Sequence, residues 1–163
     1  MAGPRVIEAA PRRVVVEVLI ARATTGDVYA AISDVARMGE WSPEGRGVPG
    51  PDGALTVGAR FGGSNRNGWF RWSTSCSVAV ADRGREFAFD VSFAGRAVAR
   101  WSYVLEQEGD GVRVRETWSD ARGQAMVLAG VVGTGVRDRS AHNARTMTAT
   151  LDAMSRALAG TAP

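Results

Sequence analysis

The sequence has no lysine, one cysteine (Cys76) and one histidine (His142) in 163 residues. A single thiol excludes an internal disulfide framework and suits a reducing compartment, so a cytoplasmic location is expected. One cysteine and one histidine cannot assemble the usual nitrogen/sulfur metal site, so neither a metal nor any other cofactor is expected. Long apolar runs are missing too. The longest, Met126 to Val132, is broken by Gly130 and falls far short of the roughly 20 residues of a membrane span. No apolar segment follows the first charges, so no secretory leader is expected. With lysine absent, 20 arginines carry all the positive charge against 17 acidic residues, a net of +3. These arginines are scattered singly, without a basic block or repeat, which argues against a nucleic-acid partner.

What is present is ordinary for a globular chain: 45% apolar and 23% charged residues. The expectation is one domain over residues 12–159, with a flexible N-terminal tail (1–11) and a short C-terminal tail (160–163). The most strongly patterned stretch is Val136 to Leu158. Val136, Ser140, Ala144, Met147, Leu151, Met154 and Leu158 recur at the three-four spacing of one helical face. Arg137, Asp138, Arg139, Arg145, Asp152 and Arg156 lie on the other side.

Upstream, most of the chain reads as strands. Arg13 to Ala21 is β-branched and apolar on both faces. Thr24 or Thr25 can cap a helix over Asp27 to Ser33, and a second short helix is expected over Asp34 to Met38, stopped by Gly39. Glu44 to Gly53 is turn-rich with room for a brief strand. Leu55 to Phe61 alternates, and Gly62 to Gly68 reads as a hairpin loop. Phe70 to Val80, Phe87 to Phe93, Ala97 to Gln107 and Val112 to Trp118 alternate apolar with polar, separated by turns at Asp82–Gly84, Gly95 and Gly109–Gly111. Met126 to Val132 reads as a short helix or a lid. The class is α+β: a curved antiparallel sheet of six to seven strands wrapped around a long C-terminal helix, with two short helices after the first strand. This is the helix-grip plan.

Three stretches carry a family likeness: DVARMGEWSP (34–43), VGARFGGSNRNG (57–68) with Trp69 to Ser73 after it, and VRDRSAHNARTMTATL (136–151). Together they resemble the polyketide cyclase/dehydrase-like branch of the START-like superfamily, over about residues 12 to 159. The resemblance implies an apolar cavity between helix and sheet. It does not imply one activity, because the superfamily includes carriers, cyclases, aromatases and co-chaperones.

The inward strand faces are rich in aromatics: Phe61, Phe70, Trp72, Phe87, Phe89, Trp101, Tyr103 and Trp118. Such walls either pack solid or enclose an apolar ligand. The candidate ligand-binding set is Phe61, Trp72, Phe89, Trp101, Tyr103, Glu116, Trp118, Asn143 and Met147. Glu116 shares strand parity with Val112, Val114 and Trp118, so it should point inward. An unpaired carboxyl there would titrate high, whereas an arginine partner would pull it low. Glu116, Tyr103 and His142 are the candidates for proton transfer. Cys76, His142 and Asn143 superficially form a thiol-protease set, but a mid-strand cysteine reads as a small core residue. GVVGTG (130–135) lacks the spacing of a dinucleotide-binding loop.

Three functions stay open. The first is binding of a small hydrophobic molecule (lipid, aromatic or polyketide-like), by a monomer or homodimer. The second is cyclase or aromatase chemistry in the same cavity. The third is a stress or toxin–antitoxin interaction protein that uses its arginine-bearing faces.

Overall fold

The computed structural model describes residues 3–46 and 55–160. Its first element is already a strand. β1 (Arg5–Ala10) pairs antiparallel with β2 (Arg13–Ile20), so this part of the expected flexible tail (1–11) is ordered. RVIEAA is mostly exposed, and no buried face marks it in the sequence. Pairing with β2 holds it as an edge strand, and the Arg5 guanidinium donates to Glu17 at 3.0 Å.

Thr24 caps α1 (Thr25–Ser33) by accepting from the backbone N–H of Asp27, as the Thr-Thr-Gly-Asp sequence predicts. The second helix is displaced from its expected position. A single 3₁₀ turn (Val35–Arg37) leads into α2 (Met38–Trp41), which runs through Gly39. A helical glycine costs only about 1 kcal/mol, whereas Pro43, just past the helix end, cannot continue it.

Six further strands follow: β3 (Gly45–Arg46), β4 (Arg60–Asn67), β5 (Phe70–Asp82), β6 (Glu86–Phe93), β7 (Arg96–Glu108) and β8 (Gly111–Asp120). They form one eight-stranded antiparallel sheet in the order β1-β2-β8-β7-β6-β5-β4-β3. The strand beyond the expected six to seven is β1. The brief strand expected within Glu44 to Gly53 is β3; residues 47–54 of that stretch lie outside the described residues.

Two local readings are corrected. The segment 62–68, expected as a hairpin loop, is mostly strand β4, and Asn67 pairs with Phe70 so that only Gly68 and Trp69 turn. Gly-Gly-Ser-Asn has little strand propensity of its own; the ladder to β5 supplies it. In β5 a bulge between Val78 and Val80 reverses parity, so Ala81 rather than Val80 packs against the core.

The stretch left open as helix or lid is α3 (Gln124–Thr134). Ahead of it Asp120 holds both the backbone N–H and the guanidinium of Arg122, which sets the chain's exit from β8. Behind it Gly135 closes the helix at φ 68°, where a β-carbon would lie 2.5 Å from the Phe70 ring. Phe70 is consequently beside α3 and 42% exposed, not on the inner wall where strand parity had put it.

The long helix α4 (Arg139–Leu158) begins three residues later than the periodicity suggests, because Asp138 caps it by accepting from the Ala141 N–H. Its 20 residues span about 30 Å. The buried face carries Ser140, Asn143, Met147, Thr150, Leu151, Met154 and Ser155, so the stripe is rotated toward Asn143 and Thr150. α4 packs chiefly on β2 and β1. Among the described residues no helix is long and apolar enough to cross a membrane.

On the outer side of β2, Glu17 is buried beneath Arg5, Arg113 and Arg115. Burial pushes its carboxyl pKa up, and the three guanidiniums outweigh that and hold it below the ordinary range. The arginines are partly solvated, which limits the gain. Glu17→Gln is expected to cost about 1–2 kcal/mol in urea unfolding at neutral pH. The loss should shrink as pH falls through the depressed pKa; an equal loss at acid pH would assign the effect to packing.

Candidate functional site

Between α4, the concave sheet face and the segments α1–α2 and α3 lies a cavity of about 280 Å³. All nine proposed ligand-binding residues line it: Phe61, Trp72, Phe89, Trp101, Tyr103, Glu116, Trp118, Asn143 and Met147. Strand alternation explains most of the wall. Trp72 and Cys76 on β5, Phe89 and Val91 on β6, Trp101 and Tyr103 on β7, and Glu116 and Trp118 on β8 point the same way. Phe87 takes no part in the lining. It is buried toward α1, edge-on to Tyr29 at 6.1 Å.

Polar groups interrupt this apolar wall at a few points. Tyr103 and Glu116 face each other across β7 and β8, and the Tyr103 hydroxyl donates to Glu116 Oε1 at 2.8 Å. Glu116 is 2% exposed and has no arginine partner among the described residues. Burial raises its pKa to about 8, against a smaller opposing effect of the Tyr103 hydrogen bond. The carboxyl is therefore largely protonated at neutral pH. Burial, and then the proximity of Glu116, pushes the Tyr103 phenol well above its ordinary value. Glu116 Oε2, Asn143 Nδ2 and Trp41 Nε1 are all buried at the lining, and none has a hydrogen-bond partner among the described residues. Asn143 is itself 2% exposed. Unpaired buried polar atoms cost about 1–3 kcal/mol each, so three around one cavity constitute a built feature.

His142 does not join this group. It is half-buried on α4 away from the lining, with Nε2 2.9 Å from Glu44 Oε2. Cys76 lines the cavity as a free thiol whose pKa burial raises to about 11, and this removes any nucleophilic pairing with His142.

Sequence reasoning missed the residues that close one side of the cavity. Arg139, at the start of α4, donates to Glu44 Oε1 at 2.8 Å and to Thr134 Oγ1 at 2.7 Å, and its guanidinium lies 5.7 Å from the Trp72 ring centre. It thereby ties together the α2–β3 segment, the end of α3 and β5. Burial pushes the Glu44 carboxyl up, but the His142 hydrogen bond and the Arg139 charge hold it below the ordinary range. Glu44 sits in a turn-rich stretch, and its partners are 95 and 98 residues away. No local pattern could have paired them. Trp41 had one available signal, an aromatic just before a helix-stopping proline.

Comparison with known proteins bears on the architecture first. A protein from Mycobacterium smegmatis, Ms6760, superposes with a TM-score of 0.62 at 17% identity, covering 94% of this chain and 97% of that one. A Polyketide_cyc-like protein from Corynebacterium glutamicum gives a TM-score of 0.60 at 28% identity, over 91% and 93% of the two chains. The Aha1 dimer from Colwellia psychrerythraea shares the fold at 15% identity, with a TM-score of 0.60 over 91% and 97%. No curated protein matches the sequence. Residues 11–159 match the family described as polyketide cyclase / dehydrase and lipid transport, nearly the whole of the helix-grip fold. The chain belongs to that family.

Proposed function

We propose that the chain binds a small, largely apolar molecule carrying at least one acceptor oxygen, such as a carbonyl or hydroxyl, at one end. The observation that carries this reading is the aromatic cavity whose wall presents Asn143 Nδ2, Trp41 Nε1 and Glu116 Oε2 without protein partners. The first two are donors, and a protonated Glu116 adds a third. Its volume of about 280 Å³ is at the lower end for ligand sites and suits a compact molecule. The proposed form is a monomer or a homodimer. The proposed setting is the cytoplasm, in keeping with the free thiol of Cys76.

One observation favours a second reading, cyclase or dehydratase chemistry. A carboxyl poised near pH 8 beside a phenol can exchange a proton with a substrate held in the cavity. In a dehydration, the minor carboxylate form of Glu116 would take the proton next to a carbonyl, the freed electron pair would form the C=C bond as the C–O bond to a β-hydroxyl breaks, and Glu116 would return that proton to the departing hydroxyl, which leaves as water. Turnover of such a substrate, lost in Glu116→Gln, would support this reading.

Binding is tested by native mass spectrometry of gently purified protein, and by Trp emission titrated with aromatic ketones, fatty acids and their hydrocarbon analogues. Saturable quenching with a rise in melting temperature is expected for oxygen-bearing ligands. Neither effect across the panel, with no retained molecule, would mean that the cavity is not a ligand site.

A further inference from the structure

The β4–β5 hairpin carries an unusual surface at its tip. Arg66 on β4 lies directly across from Arg71 on β5, and Ser64 from Ser73; Arg46 on β3 pairs with Ser64. Alternation puts Arg66, Arg71 and Ser73 on the sheet face opposite Phe61, and Arg46, Arg66 and Arg71 border one depression that Asn65 and Trp72 also line, with Arg46 and Ser64 reaching the cavity wall as well. None of the three has a carboxylate partner among the described residues. Arg66 donates only to the Gly68 carbonyl, and the nearby Glu44 directs its carboxylate to Arg139 and His142. Like charges directly opposite in a ladder are destabilising, so this arrangement is favoured by an anion outside the protein.

Beyond the arginines, Trp69 forms the turn and is 99% exposed. The hairpin end is fastened to α3: Asn67 Nδ2 donates to the Thr134 carbonyl at 3.0 Å, and the Phe70 ring sits against Gly135. α3 itself has no charged residue and exposes Val127, Leu128 and Val132, while its other side, at Met126, Gly130 and Gly133, lines the cavity. Tryptophan and aliphatic side chains beside unpaired arginines suit the boundary between lipid headgroups and acyl chains.

We propose that the Trp69 hairpin tip and the outer face of α3 form a docking surface for an anionic lipid bilayer, with Arg66 and Arg71 on the headgroup phosphates. The uncharged helix and the fully exposed tryptophan favour a bilayer over a soluble phosphate. The surface is distinct from the ligand-binding reading, because Trp69, Arg66 and Arg71 do not line the cavity.

The test is co-sedimentation of the full chain with phosphatidylcholine vesicles and with equimolar phosphatidylcholine/phosphatidylglycerol vesicles. Preferential binding to the anionic vesicles is expected, weakening with added salt. The double variant Arg66→Gln/Arg71→Gln should partition about thirtyfold less. Trp69→Ala should also bind less, and the vesicle-induced blue shift of Trp emission should be absent in Trp69→Phe. Melting temperature should not fall, and quenching by cavity ligands should be unchanged, in all of these, which separates this test from that of the cavity. Equal binding to both vesicle types, no binding to either, or undiminished binding of the variants would overturn the proposal. So would saturable binding of inorganic phosphate without vesicle preference, which would indicate a free-anion site. Self-association abolished by Trp69→Ala, without vesicle binding, would instead assign the surface to a second copy of the chain.

Discussion

A chain ending at Gly135, and so lacking α4, is expected to be insoluble or to lose fixed packing. Met147, Leu151 and Met154 are each at most 2% exposed, in one cluster with Val14, Val16 and Ile20 of β2 and Val112 and Val114 of β8. Burial of each such side chain is worth about 1.5–3 kcal/mol, and removing the helix forfeits both its own contacts and those of the strand residues beneath. The total is comparable to or larger than the roughly 5–15 kcal/mol by which a domain of this size is stable. Dye binding to exposed apolar surface, loss of near-ultraviolet circular dichroism and a non-cooperative urea curve would register the outcome. A soluble monomer of residues 1–135 with a sharp transition would show that the sheet holds its core without the helix.

Replacing Glu116 with Gln should produce the largest pH effect of any single substitution. The folded carboxyl titrates at about 8 against an ordinary 4.5. Below about pH 4.5 it is protonated whether folded or unfolded, and its contribution to stability is fully present. As pH rises toward 8 the unfolded chain releases the proton while the folded chain keeps it, so stability falls. Over that interval the loss is on the order of 4 kcal/mol, given about 1.4 kcal/mol per pH unit. Gln keeps an acceptor for the Tyr103 hydroxyl and cannot ionise. The variant should therefore match the wild type near pH 5 and exceed it by a few kcal/mol near pH 9. The comparison must be between the two proteins, because Glu17, Glu44 and Asp120 have depressed pKa values and drive stability the other way at acid pH. Urea unfolding of both across pH 5–9 measures it, and parallel profiles would mean that Glu116 is ionised and solvated. Binding of oxygen-bearing ligands should weaken in the variant, while hydrocarbon analogues should be less affected.

The inward direction of Glu116 was legible because parity runs unbroken from Val112 to Trp118 in β8. The same rule failed for Val80, where a bulge intervenes, and for Phe70, which the end of α3 claims. Parity is a local rule, and it holds only as far as the ladder stays regular. β1 was invisible because Val6 and Ile7 are adjacent, fall on opposite faces and are both exposed, so no alternating apolar face marks this edge strand. In Gly62 to Asn67, local propensity pointed to a turn and the pairing with β5 overrode it.

The sequence by itself determined the long amphipathic helix, the alternating strands and the aromatic face they share, since each is written in spacing that the backbone period converts directly into one side or the other. It also determined that the Glu116 carboxyl points inward. Only the tertiary structure decided what that carboxyl meets: Tyr103 from the neighbouring strand, no arginine among the described residues, and a cavity that also receives Asn143 and Trp41. It alone brought Glu44 to Arg139 and His142, and Asn67 and Phe70 to the end of α3. These are contacts between residues tens of positions apart, set by strand order and helix placement. No periodicity within a segment encodes them.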